Sequence, residues 1–134
     1  FRLPTTAEWE ETARAGHEAS PYPWGGFYYK NAQKCYLSNF GVNDDDPCPD
    51  CENQAAGNDG GFFTVLATSY FSNDFGCYNM SGNVAEMINE KGIAMGGSWK
   101  DKPEDCQVTS EQKYSEPSPA IGFRVFMEIV EEVQ

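Results

Sequence analysis

The chain has 134 residues, 40% of them hydrophobic and 14% aromatic, which sets it apart from disordered sequences and allows one packed core. Twenty-one acidic residues against nine basic ones leave a net charge of -12, which repels a phosphate backbone, and no basic-aromatic stripe offsets it; nucleic acid is excluded as a partner. Hard divalent cations suit such a surplus of oxygen donors, although solvated surface carboxylates account for most of it.

In chain order, the first element is a helix. Thr5 caps its start, Glu8 returns the bond three residues on, and Gly16 supplies the stop. Trp9 and Ala13 share the face that enters the core, while Glu8, Glu11 and Arg14 face water. From Ala19 to Gly61 the composition predicts loops, with Tyr22 to Gly26 forming a turn packed by its own rings and Asn43 to Cys51 an exposed excursion. Three later runs read as strands: Val84 to Ile88, Ile93 to Gly97, and Phe123 to Val130. The first two are joined by a turn over Asn89 to Gly92. The longest apolar stretch, Phe62 to Ala67, falls far short of the ~20 residues that cross a bilayer, so no transmembrane segment is expected.

Five cysteines tilt the expected compartment towards an oxidising one, and their odd number leaves at least one without a partner inside the chain. Cys48-Pro49-Asp50-Cys51 lacks both the βαβ setting of a redox pair and the second ligand pair of a zinc site, which leaves a local disulfide as the favoured reading and free or differently paired thiols as the alternative. Asp44 to Asp46 fail the EF-hand pattern because Pro49 stands where the loop glycine belongs. His17, just beyond the helix, reads as a solvated residue.

Asn79 to Glu86 bring together an amide oxygen, a glycine-bearing turn and a carboxylate, a set that can converge on one hard cation or merely satisfy its own backbone. With Phe1-Arg2-Leu3-Pro4-Thr5, Glu8-Trp9-Glu10, Tyr22-Pro23-Trp24-Gly25, Gly96-Gly97-Ser98-Trp99 and Gly122-Phe123-Arg124, this segment resembles the ordered signature of the formylglycine-generating-enzyme, or sulfatase-modifying-factor, family. The resemblance runs along nearly the whole chain. It implies an irregular, loop-rich α+β fold related to C-type lectins, of which residues 1–134 would be the C-terminal part. Since the chain opens at Phe1 with no initiator Met, the upstream part of that domain is expected to be missing. Missing sequence or a neighbouring chain is then expected to cover the apolar face of Trp9 and the final strand.

The same resemblance implies two structural calcium sites. One maps onto Asn79, Gly82, Val84 and Glu86, through side chains of the outer two and carbonyls of the inner two. The other maps onto Asn39 with the Phe40 carbonyl and Asp59 with the Gly61 carbonyl. The family's oxidase chemistry needs two cysteines after the Gly-Gly-Ser element, and in register these positions hold Asp101 and Cys106. A hard carboxylate cannot replace a soft thiolate on cuprous copper, so copper and catalysis are disfavoured. The histidine-rich iron branch of the fold, the ergothioneine-type sulfoxide synthases, is not supported by a chain whose only histidine is His17.

The expected function is thus a non-catalytic, calcium-stabilised scaffold. Cys35 to Phe40, Ser69-Tyr70, Asn73 to Gly76 and Gly97 to Asp101 look most like the gliding-motility and type IX secretion lipoproteins. That likeness implies the periplasmic face of a bacterial outer membrane, protein partner subunits, and a ring of copies. Two alternatives stand beside it: a formylglycine-generating copper oxidase acting on sulfatase cysteines, and a lectin-like module that binds ligands through the loops between Lys100 and Ile121, with Tyr114 and the Pro117-Ser118-Pro119 turn as contacts.

Overall fold

The computed structural model describes residues 1–41 and 63–131. Helix α1 spans Thr6–Arg14, and both of its ends are closed by local chemistry. Thr5 Oγ1 accepts from the Glu8 amide at 3.2 Å, and the Glu8 carboxylate accepts from the Thr5 amide at 2.9 Å, so two orphan donors are satisfied reciprocally. At the other end Ala15 turns left-handed, and Asn73 Nδ2 donates to the carbonyls of Thr12 and Ala13 at 2.7 and 3.2 Å. That contact anchors the 73–77 turn to the helix.

Four short strands follow: β1 Ala85–Met87, β2 Ile93–Met95, β3 Glu111–Lys113 and β4 Ile121–Gly122. They form one sheet in the order β3-β2-β1-β4. β1 and β2 are an antiparallel hairpin with Glu86 opposite Met95, β3 adds antiparallel to β2, and β4 lies parallel to β1 with Ala85 opposite Ile121. Trp9 and Ala13 pack with Met80, Ile88, Met95 and Val108 into the main core. Each large apolar side chain among these contributes about 1.5–3 kcal/mol when taken from water, so the helix is held chiefly by this face and not by its nine residues alone. A second cluster joins Tyr36, Phe40 and Cys106, with Trp24 and Tyr29 against it. The Tyr22 to Gly26 turn is ring-packed as expected, the Tyr22 and Trp24 rings stacking at 5.0 Å and 5°.

Two expectations are corrected. Residues 123–130 do not form a strand: their alternation survives as exposure of Phe123, Val125, Met127 and Ile129, yet only Phe126 pairs, exchanging two backbone bonds with Arg2. The next bonded pair on that ladder would need an amide hydrogen from Pro4, which has none. Trp9 needs no external cover, since its ring is fully buried within this chain. The Asn43 to Cys51 excursion and the Cys48/Cys51 motif lie outside the described residues.

Candidate functional site: an oxygen-rich turn beside a buried thiol

The turn from Asn79 to Glu86 leaves the core at Met80 and returns as strand β1. Three of its residues take left-handed backbone, Asn79 (φ 52°), Gly82 (φ 70°) and Asn83 (φ 65°), which curls the segment tightly. At Gly82 the absent side chain matters twice, because a Cβ would collide with the Asn39 carbonyl oxygen. Asn83 joins neighbouring segments: its amide donates to Asn39 O at 2.9 Å, its Oδ1 accepts from the Val65 amide at 2.9 Å and from Asn39 Nδ2 at 3.3 Å, and its carbonyl accepts from the Trp99 amide at 2.9 Å.

Asn79 Nδ2 donates to the carbonyls of Leu66 and Ala67 at 3.3 and 3.0 Å. The amide is thereby fixed with Oδ1 turned inward, where it is buried without a hydrogen-bond partner. Fully buried Asn39 repeats the pattern, with Nδ2 donating to Phe63 O at 2.6 Å and Oδ1 unpartnered. Among the described residues these are the two orphaned buried side-chain polar atoms, and each leads one of the oxygen sets read from the sequence. An orphaned acceptor costs about 1–3 kcal/mol, which a hard cation offsets. Phe40 lies beside Asn39 at 2% exposure; Asp59 and Gly61 fall outside the described residues.

Glu86 is differently placed. Its carboxylate is 7% exposed and held by Arg124, whose Nε donates to Oε2 and Nη2 to Oε1, both at 2.6 Å, while Trp9 Nε1 donates to Oε2 at 2.8 Å. Arg124 Nη2 also donates to the Tyr78 carbonyl at 2.8 Å, one residue before Asn79. Burial works against the guanidinium charge, yet its hydrogen bonds and attraction to Glu86 prevail and hold the Arg124 pKa above its ordinary value. The oxygen set of Asn79, Gly82, Val84 and Glu86 therefore contains a carboxylate whose charge is already balanced. Val84 is half-buried with its side chain against Gly122.

The two positions after Gly-Gly-Ser lie close together. Asp101 Oδ2 accepts from the Ser98 amide and hydroxyl at 2.8 and 2.6 Å, closing a local turn. Cys106 Sγ is fully buried, 3.7 Å from Ser98 O and 3.8 Å from Asp101 O, in a chain where neither Cys77 nor Cys106 forms a disulfide. Burial, reinforced by the negative charges of Asp101 and Asp105, pushes this thiol far up and keeps it protonated. Gly97 (φ 67°) presses its backbone on the sulfur so closely that a Cβ there would overlap it. Ser81 Oγ donates to the Cys106 carbonyl and Ser38 Oγ to Ser81 O, tying the thiol loop to the Asn79 turn.

Among the described residues, these turns included, no three His, Cys, Asp or Glu side chains come together around a common point. His17 pairs with Asp74 at 2.9 Å on the surface, with its ring over Gly25. The 101–112 loops line an open cleft of about 300 Å³ through Asp101, Asp105, Ser110, Glu111 and Gln112. Sequence reasoning named candidate oxygen donors but missed Arg124 and Trp9 as partners of the Glu86 carboxylate. The available signal was a lone arginine in the otherwise apolar run after Gly122, since a charge there requires a counter-charge.

Comparison with known proteins bears on this arrangement. The sulfatase-modifying factor enzyme 1-like domain matches residues 1–129. Among curated proteins, the chain is 35% identical over 88 residues to a formylglycine-generating enzyme of Thermomonospora curvata, covering 63% of this chain and 25% of that protein. It is 30% identical over 110 residues to an inactive C-alpha-formylglycine-generating enzyme 2 of Bos taurus, covering 75% of this chain and 33% of that one. Among solved structures, PvdO from Pseudomonas aeruginosa superposes with a TM-score of 0.64 at 25% identity, over 91% of this chain and 50% of the other. Treponema denticola variable protein 1 shares the fold with a TM-score of 0.61 at 22% identity, over 91% and 45%. The chain thus spans a quarter to a third of the curated relatives' length, and those relatives include both active and inactive enzymes.

Proposed function

We propose that this chain, which belongs to the sulfatase-modifying factor enzyme 1-like domain family over residues 1–129, is a non-catalytic scaffold stabilised by calcium. The observation that carries the reading is the Asp101 and Cys106 pair. In the register that the family resemblance implies, a carboxylate bonded to Ser98 takes the place of a second thiolate, and the thiol at Cys106 is buried, protonated and pressed against Gly97. Two soft thiolates hold a cuprous ion, and one protonated thiol does not. Similarity to an inactive relative supports the reading; similarity to an active one keeps the copper oxidase as its competitor.

Calcium is assigned from donor chemistry. The orphaned Oδ1 atoms of Asn39 and Asn79 suit a hard cation, with carbonyls of Phe40, Gly82 and Val84, the Glu86 carboxylate, and Asp59 with Gly61 completing the two sets. Bound calcium supplies oxygen-bridged ties between loops and no chemistry. Such ties exist only in the folded chain, so their binding energy adds to stability. The role proposed for it is a subunit of a larger extracytoplasmic assembly, of the kind formed by the gliding-motility and type IX secretion lipoproteins that Cys35 to Phe40 and Gly97 to Asp101 resemble. Among the described residues no helix is long and apolar enough to cross a membrane.

Thermal unfolding in chelator and in graded calcium tests this reading. Calcium at 100 times its dissociation constant adds about 2.7 kcal/mol per site, so the midpoint climbs with concentration. A midpoint indifferent to calcium, together with uptake of one cuprous ion, would favour the oxidase.

A further inference from the structure

We propose that Arg124 is a built-in cation that competes with calcium for Glu86 and so sets the affinity of the Asn79 turn; the inference rests on the calcium reading above. The carboxylate has about four lone-pair directions, and three are taken: both on Oε2, by Arg124 Nε and Trp9 Nε1, and one on Oε1, by Arg124 Nη2. One direction on Oε1 is left for a metal. Charge leads to the same conclusion. Asn79 Oδ1 and the carbonyls of Gly82 and Val84 are neutral, and Arg124 cancels the single negative charge of Glu86, so the donor set carries none. Calcium affinity in oxygen sites follows ligand charge, and a neutral set is a weak one.

The guanidinium cannot simply step aside. Its Nη2 is shared between Glu86 Oε1 and the Tyr78 carbonyl, so it clamps the strand-borne carboxylate to the backbone that presents Asn79. Without metal, Arg124 holds the turn closed; with metal, its charge opposes the ion. A purely structural ion pair would give a different result on mutation, lowering stability while leaving calcium affinity where it was.

The test is calorimetric titration of calcium chloride into the wild-type chain, Arg124→Gln and Arg124→Lys, with circular dichroism confirming the fold of each. Arg124→Gln is expected to bind calcium at least about tenfold more tightly at one site, because the donor set regains its charge. Arg124→Lys keeps the positive charge and is expected to stay within about threefold of wild type. A second readout needs no variant: in the wild-type spectrum the Arg124 Nε–H and Trp9 Nε1–H proton resonances both shift as calcium saturates, since both groups donate to the shared carboxylate. Unchanged or weaker calcium binding by Arg124→Gln, or resonances unmoved at saturation, overturns the proposal while leaving the calcium reading intact. Absence of calcium uptake by every form overturns both.

Discussion

Replacing Gly97 by alanine probes how tightly the buried thiol is enclosed. Gly97 sits at φ 67°, so any side chain there costs about 1–2 kcal/mol in backbone strain. Its new Cβ would overlap Cys106 Sγ and stand 2.8 Å from the Asp105 carbonyl, which adds about 1–3 kcal/mol of overpacking. The expected total is about 2–5 kcal/mol, read as a lower urea midpoint at constant slope. Cys106→Ala alone costs about 1 kcal/mol, a typical value for a small core truncation. In the double variant the sulfur clash is gone while the φ strain and the Asp105 contact remain, so the pair couples by at least about 1 kcal/mol. Costs that add to within about 0.5 kcal/mol would mean that the sulfur has open space beside Gly97. That is the room a metal pocket needs, and such a result would refute the enclosure on which the non-catalytic reading depends.

Two further tests concern titrating groups. Hydrogen bonds from Arg2 hold the Glu8 carboxyl at about 2 against an ordinary 4.5. Its contribution to stability is therefore present above pH 4.5 and is lost as pH falls through about 2; carbon-detected NMR should place the Glu8 midpoint near 2, and a midpoint at 4.5 would mean that the ion pair is absent in solution. Burial raises the Cys106 thiol above its ordinary 9.0, so the unfolded chain loses this proton first and stability falls as pH rises beyond 9. Iodoacetamide at pH 8 should therefore modify half-buried Cys77 before Cys106, which stays protected until urea unfolds the chain; early labelling of Cys106 would contradict its burial.

How much of this was legible in the sequence depended on how local the encoding was. Helix α1 could be read at both ends because each cap is local: Thr5 and Glu8 are three positions apart, and the Ala15 amide closes on the Glu11 carbonyl four positions back. The β1–β2 hairpin followed from two apolar runs around a short turn that ends on Gly92. Strand β3 was missed because Glu111-Gln112-Lys113 is a polar edge, with Ile93 to Met95 of β2 supplying the apolar side. Residues 123–130 carried a strand pattern, but pattern alone does not supply ladder partners, and Pro4 ends the one pairing they make. In the site, Asn79 and Glu86 were named from residue type and order and Asn39 from the family resemblance, whereas the Arg124 clamp spans 38 positions and only folding reveals it.

Native mass spectrometry of the chain offered calcium and cuprous ions together puts the central claim to the most direct trial. The account predicts calcium adducts that a chelator removes, and no copper retained at Cys106. One tightly held copper, lost on replacing Cys106 by serine, would contradict it.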